Sequence, residues 1–258
     1  MRRSVLSLLC LAALLCPGQA LGVAGLGPVL SITPPAAAPV GPPVTGYSLW
    51  LDATYASNTN SVWYDQSGGG HNATPTSHAP VLTANAVNGK QCYAVGSTKT
   101  GSAYTDLATP SFARVNPVTV FVVFQAITTT TYAGPIDCNY TSEYSIQYSS
   151  SYGAEFWFSG TDYLNNDTPN TNTHCLAETM GSGTMYAYKD GTLLNGAGTA
   201  ATGGNAGNFI RYLYFQSYNR ESIDGYLCEI VEYPFVLSSG QFTSVERYLS
   251  TKWGPLGP

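Results

Sequence analysis

Short apolar runs separated by turn-forming residues dominate this chain, and most of them alternate with a period of two. Tyr47 to Asp52 (YSLWLD) alternates in this way. In Tyr144 to Tyr148, Tyr144, Ile146 and Tyr148 oppose Ser145 and Gln147; in Ala154 to Ser159, Ala154, Phe156 and Phe158 oppose Glu155, Trp157 and Ser159. Val118 to Ile127 (VTVFVVFQAI) is apolar on both faces, which predicts a strand in the middle of a sheet, covered above and below. His174 to Met180, Met185 to Lys189, Phe209 to Phe215 and Tyr226 to Tyr233 read as further strands. Lys189-Asp190-Gly191-Thr192 predicts a two-residue hairpin, because Asp-Gly takes the two positive φ angles of a type I′ turn. One stretch changes period. Phe242, Val245, Leu249 and Trp253 recur at helical spacing behind a cap at Ser238 or Ser239, and Gly254-Pro255 stops the helix. The predicted fold is all-β: an antiparallel two-sheet sandwich with one short C-terminal helix laid as a plug over its edge.

The first forty-five residues do not fit that pattern. Met1-Arg2-Arg3 is a positive start, Val5 to Cys16 an apolar run too short to span a bilayer, and Gly18-Gln19-Ala20 a small-residue cleavage site. Residues 1–20 therefore read as a signal peptide, cut near Ala20. Residues 21–45, ending in TPPAAAPVGPPV, have no polar–apolar period and read as an extended spacer. The folded domain is expected over 46–258, about 210 residues, enough for one large sandwich. The expected location is secreted, extracellular or at the cell surface, with no membrane span in the mature protein.

Charge narrows the partners. The chain has 10 Lys+Arg against 15 Asp+Glu, and losing Arg2 and Arg3 with the leader leaves 8 against 15, a net of −7. No basic patch survives, so nucleic acid is not an expected partner. Charged residues make up 10% of the chain while Tyr numbers 19 and Gly 27, a composition that suits a turn-rich secreted β protein and not a disordered one.

Candidate chemistry is sparse. Asp65, in the loop Trp63 to Asn72 (WYDQSGGGHN), could offer carboxylate oxygen to calcium among turn carbonyls, or could simply anchor a tight Asp-Gly turn. Beyond calcium, no cofactor is expected. Glu229 and Glu232 stand three apart, so a regular strand sends them to opposite faces, where they cannot share a substrate. A cross-strand pair such as Glu155 with Glu178 stays open, against the simpler reading of hydrogen-bonded sheet carboxylates. His71, His78 and His174 stand outside any HExxH, GxSxG or Cys-His pattern. After leader removal four cysteines remain, Cys92, Cys138, Cys175 and Cys228, which allow three pairings. Asn72, Asn139 and Asn166 head N-x-S/T glycosylation sequons.

In order, LWLDA, WYDQSGGGHNAT, a strand after NGK, MYAYKDGTLL, IDGYLCEIVEYPFVLS and VERYLSTKWG make a set that resembles the laminin G-like domains of the concanavalin A-like lectin/glucanase superfamily. The resemblance covers Gly46 to Gly254 and implies a jelly-roll sandwich of about a dozen antiparallel strands. It implies pairing of Cys92 with Cys228, since the early strand should lie beside the C-terminal one, and leaves Cys138 with Cys175. It further implies a glycan-binding or protein-binding adhesion module. Glycoside hydrolases and calcium-binding domains also occur in the superfamily, but the Glu229–Glu232 spacing departs from the hydrolase pattern of three acidic residues at alternate positions.

A glycan site needs an aromatic face for the C–H side of the sugar and amides or carboxylates for its hydroxyls. Tyr152, Glu155, Trp157, Tyr163, Asn165 and Asn166 supply that set within about a dozen residues. The expected function is a non-catalytic, lectin-like module with a glycan partner. The alternatives are a structural module for an extracellular protein partner, or a hydrolase or lyase of the superfamily.

Overall fold

The computed structural model describes residues 41–75, 78–96, 107–110, 117–128, 134–137, 145–150, 153–158, 161–200, 223–254 and 256. Among these the chain forms β1 (Leu49–Asp52), β2 (Val81–Val87), β3 (Lys90–Val95), β4 (Val118–Thr128), β5 (Ile136–Asp137), β6 (Ser145–Ser149) and β7 (Gly153–Phe158). There follow β8 (Thr161–Leu164), β9 (Thr173–Gly181), β10 (Thr184–Lys189), β11 (Thr192–Leu193), β12 (Thr199–Ala200), β13 (Asp224–Tyr233) and one helix, α1 (Ser239–Trp253). The strand expected over 209–215 lies outside the described residues.

The large sheet runs β11-β10-β9-β4-β13-β3-β2, with β1 also on β13 and β12 on β10; the small sheet runs β5-β6-β7-β8. Strands β1 and β3 share one edge of β13, β1 along Glu229–Glu232 and β3 along Gly225–Leu227. The anticipated Asp190-Gly191 turn has φ 51° and 78°, and Asn88-Gly89 and Ser182-Gly183 do the same work for β2–β3 and β9–β10. Paired positive φ gives each hairpin the twist of its strands.

Strand β4 carries the core. Val118 to Phe124 are all buried, as a run apolar on both faces requires. Its even residues face the small sheet, where the Phe124 ring lies 5.3 Å from Tyr148. Its odd residues face the helix, where Phe121 lies 4.8 Å from Phe242. The molecule therefore has three layers, small sheet, large sheet and helix.

Helix α1 begins as anticipated. Ser238 caps it, its hydroxyl taking the Gln241 amide while the Gln241 side chain returns to Ser238. Phe242, Val245, Leu249 and Trp253 are all buried, each worth about 1.5–3 kcal/mol of apolar burial. The expected seat at the sandwich edge is corrected: α1 crosses the face of the large sheet. Phe242 packs between Phe121 of β4 and Tyr188 of β10, Glu246 reaches Cys175 of β9, and Tyr248 and Trp253 reach Glu229 of β13. The reason is that β4, β9 and β13 leave an apolar surface on the side away from the small sheet, and only a helix with a wide apolar stripe covers it.

Packing starts earlier than the expected boundary at residue 46. Val44 accepts a hydrogen bond from the Tyr233 hydroxyl at 3.1 Å, Pro42 is buried, and the Trp50 ring sits against Gly41.

Cys92 and Cys228 form a disulfide, as expected. Cys228 stands at the bulge of β13, one step beyond the Leu227↔Tyr93 pair, so it falls opposite Cys92. The expected partnership of Cys138 with Cys175 is corrected. Cys175 is a free, buried thiol. Its register with Val123 turns it to the helix side of β9, with Sγ 3.8 Å from Glu246 Oε1. Strand β5, which leads into residue 138, belongs to the small sheet on the other side. Residue 138 itself lies outside the described residues.

Candidate functional site at the rim of the small sheet

The alternation in β7 sorts its side chains as expected. Ala154 and Phe156 are fully buried toward the large sheet, with Ile146 and Tyr148 of β6. Gln147, Glu155 and Leu164 stand side by side in register on the outer face; residue 157 holds the register position between Ser145 and Asp162. On this face Ser145 is buried and Gln147 and Glu155 are half-buried. The side chain of Trp157, and the whole of Tyr152 and Asn139, lie outside the described part.

One expected contributor turns away. Residues 161–164 form the edge strand β8, and Tyr163 pairs with Phe156 on the core side. Its ring lies 6.5 Å from Phe156 and its hydroxyl donates to Leu194 O at 2.7 Å. The period of two makes this unavoidable: a residue opposite Phe156 shares the face of Phe156 and not that of Glu155.

Beyond β8, residues 165–172 fold back against the end of β6 and the start of β7. Asn165 N donates to Ala154 O (2.9 Å), and Ala154 N donates to Asp167 Oδ1 (3.0 Å). Gly153 is required here. Its φ is +68°, and a Cβ on it would lie 1.8 Å from Asp167 Oδ1. Lys189 of β10 donates to Asp167 Oδ2, and its ammonium lies 5.3 Å from the Tyr148 ring centroid. Burial works against the Asp167 carboxylate, yet Lys189 and the Ala154 amide hold its pKa below the ordinary value. Lys189 is shifted up in return, Asp167 outweighing the effect of burial.

A second set of bonds holds the far half of the loop. Asn170 N donates to the Tyr148 hydroxyl (3.1 Å), and Asn172 N donates to Asn170 Oδ1 (2.8 Å). His174, fully buried, places Nε2 at 3.0 Å from the Tyr148 hydroxyl and 2.9 Å from Asn170 Oδ1. Its Nδ1 lies 2.7 Å from Asp190 Oδ2, while Asp190 Oδ1 accepts the Cys175 amide at 2.8 Å. Asp190 thus does two jobs, its backbone in the hairpin turn and its carboxylate at the rim. The sequence offered the signal in NNDTPNTNTH and KDG, but Tyr148, Asp167, Asn170, His174 and Lys189 come together only through the sandwich. Asp190–His174–Tyr148 has the form of a proton relay, but Tyr148 and His174 have no exposed surface for a substrate to reach. Its work is to hold the loop.

Just beyond Leu164, the register partner of Glu155, the loop presents Asn165 half-buried and Asn166 exposed at φ 53°. The other anticipated groups are used elsewhere. Asp65, the candidate calcium ligand, accepts from Trp50 N, Ser67 N, Ser67 Oγ and His71 N, so all four of its lone-pair directions meet protein donors. It is the anchor of its turn. Asn72 is half-buried and its Oδ1 takes the Asp65 amide at 2.9 Å. Glu229 and Glu232 do point to opposite faces, Glu229 to the helix and Glu232 to Ser48. Glu178 faces the interior from the large sheet while Glu155 faces outward from the small one, so these two carboxylates share no cleft. Among the described residues, no group of three His, Cys, Asp or Glu side chains could hold a metal ion, and no helix is long and apolar enough to cross a membrane.

No family model and no curated protein sequence matches the chain. Solved structures do. Domain 4 of AbnA, an extracellular arabinanase from Geobacillus stearothermophilus in complex with arabinotriose, aligns at TM-score 0.61 and 13% identity, over 78% of this chain and 98% of that one. Trypanosoma rangeli sialidase aligns at TM-score 0.57 and 14% identity, over 82% of this chain and 34% of that one. The binding domain of botulinum neurotoxin DC, in complex with rat synaptotagmin II, aligns at 0.55 and 13%, over 78% and 51%. The chain thus spans about a third of the sialidase and half of the toxin domain. At these identities the likeness defines the fold alone, an antiparallel β-sandwich.

Proposed function

We propose that this chain is a secreted, non-catalytic carbohydrate-binding module of the laminin G-like type, with its binding rim at the end of the small sheet. The observation that carries the reading is the loop 165–172. Two ion-pair and hydrogen-bond sets, the partly solvated Asp167–Lys189 and the set Asn170–Tyr148–His174–Asp190, hold it in place near Glu155. A loop ordered before binding loses little entropy on meeting a ligand, which suits the weak hydroxyl contacts of a saccharide. Asn165, Asn166 and Glu155 would supply amides and a carboxylate, with Trp157, which alternates with Phe156 in the sequence, as the aromatic partner of this reading. The arabinotriose-bound arabinanase domain supports the class, and the Cys92–Cys228 disulfide supports export by the leader at residues 1–20. Against hydrolysis stand Glu229 and Glu232, and Glu155 and Glu178, which point to different faces and so cannot flank one glycosidic bond.

The test is a glycan array probed with the full mature chain and with Trp157→Ala and Asn165→Ala. Each substitution is expected to weaken binding at least tenfold and leave the melting temperature within about 2 °C of the parent. An array silent to the parent chain, or an early-unfolding W157A, ends the reading.

A further inference from the structure

A different part of the surface shows a second arrangement of aromatic and neutral polar groups. Between β1 and Trp63 the chain runs ATYASNTNSVWY from Ala53 to Tyr64, twelve residues without one charge. Tyr55 is 40% exposed, one of four large apolar side chains so exposed among the described residues. The half-buried Tyr64 packs against it edge to face, with ring centroids 6.4 Å apart.

The loop beneath the pair is tightly held. Asn58, 8% exposed, donates to Asp52 O at 2.7 Å and accepts the Tyr64 amide at 3.0 Å. Gln91 of β3 donates to Ala53 O at 2.6 Å, and the buried Tyr93 places its hydroxyl between Thr59 O and Val62 O at 2.8 and 2.9 Å. The exposed Asn60 accepts the Leu82 amide on its Oδ1 at 2.7 Å. The contrast within this small region is telling. Tyr93 has the structural role of a tyrosine, ring buried and hydroxyl shared between two carbonyls, whereas Tyr55 is 40% exposed on an anchored loop.

We propose that residues 54–64 form a second, independent binding site for a neutral saccharide, with Tyr55 as the stacking platform and Tyr64 as its buttress. The exposed Ser57, Thr59 and Asn60 supply hydroxyl and amide contacts. Three features select the ligand class. An aromatic face attracts the C–H side of a pyranose or furanose. Hydroxyls and amides, with no charge, suit a ligand that carries none. The backbone is ordered in advance, so little entropy is lost on binding. A protein partner would want a broader apolar patch than one half-exposed ring. This site draws on β1, β3 and the loop between β1 and Trp63, and shares no residue with the rim at Glu155 and Asn165.

The experiment is NMR titration of the mature chain, with ring-labelled tyrosine and amide-labelled asparagine, against arabinohexaose, xylohexaose, cellohexaose and mannohexaose. At least one of these is expected to move the Tyr55 and Tyr64 ring signals in a saturable way. Tyr55→Ala should weaken that response at least tenfold, without moving the melting temperature. Tyr55→Phe, which keeps the ring, should retain the response. Movement of the Asn165 and Asn166 signals alone would overturn this site and leave the rim standing. Movement of the tyrosines alone would support this site and sink the rim. If none of the four sugars moves either set, both sites are wrong.

Discussion

Two polar networks lie on opposite sides of the large sheet, and they are built differently. Under the helix, one carboxylate is the centre. Glu229 is fully buried; its Oε1 accepts from Trp50 Nε1 and the Tyr248 hydroxyl, both at 2.8 Å, and its Oε2 accepts from Trp253 Nε1 at 2.7 Å. Lys252 Nζ completes it, 2.8 Å from Oε2 and 2.6 Å from Asp52 Oδ2. Burial pushes the pKa of Glu229 up, and Lys252 acts in the opposite direction. At the rim there is no single centre. Asp167–Lys189 and Asn170–Tyr148–His174–Asp190 are short chains, and Asp167 keeps 24% of its side chain in solvent. The first network joins strands β1 and β13 to the helix and so holds layers together. The second joins a loop to finished layers. Loss of the first should cost stability, and loss of the second should cost binding.

The largest effect should follow Glu229→Ala. It strips two indoles and a phenol of their acceptor and takes from Lys252 one of its two carboxylates, leaving Asp52 and the Tyr248 hydroxyl, so the cost should be about 3–5 kcal/mol. Chemical denaturation measures it. A loss under about 1 kcal/mol would mean that the helix is held by its apolar stripe and not by the carboxylate.

The next effect is on pH dependence. Burial, with Asp190 nearby, pushes Glu246 up to about 7, partly offset by Cys175 and the Gly191 amide. A carboxyl group whose folded pKa is raised holds its proton in the folded state after the unfolded chain has lost it. Stability therefore falls as pH rises, from the unfolded value near 4.5 to about 7, by about 3 kcal/mol in total. Glu246→Gln should flatten that slope between pH 4.5 and 7 without changing the rim. If the parent and E246Q lose stability in parallel across this window, the assignment of the slope to Glu246 fails.

The smallest effect on stability should come from Asp167→Ala, at about 1–2 kcal/mol, because the rim is partly solvated. Binding on the glycan array should nevertheless fall at least tenfold, since residues 165–172 lose their anchor to Ala154 and Lys189. The ratio of the two losses sharpens the contrast with Glu229. Equal damage to folding and binding would erase it.

Much of the architecture was legible along the chain because period and turn chemistry are local. The alternation of Ala154 to Phe158, the doubly apolar β4, the Asp190-Gly191 turn and the stripe Phe242–Val245–Leu249–Trp253 each need only a few neighbouring residues to be read. The opposed faces of Glu229 and Glu232 follow from the same period of two. The pairing of Cys92 with Cys228 needed an expected neighbourhood of strands as well. What remained hidden depends on residues far apart in sequence. The seat of α1 on the sheet face rests on β4, β9, β10 and β13 being side by side, which no local pattern states. The free state of Cys175 was decided by which side of β9 meets the helix. The rim network spans residues 148 to 190 and forms only when β6 of one sheet lies over β9 and β10 of the other. Tyr163 was drawn inward by its register with Phe156, a matter of strand pairing and not of residue type. Backbone periodicity is written in the order of residues, but the partners of a buried polar side chain are chosen by packing, which exists only once the layers have closed.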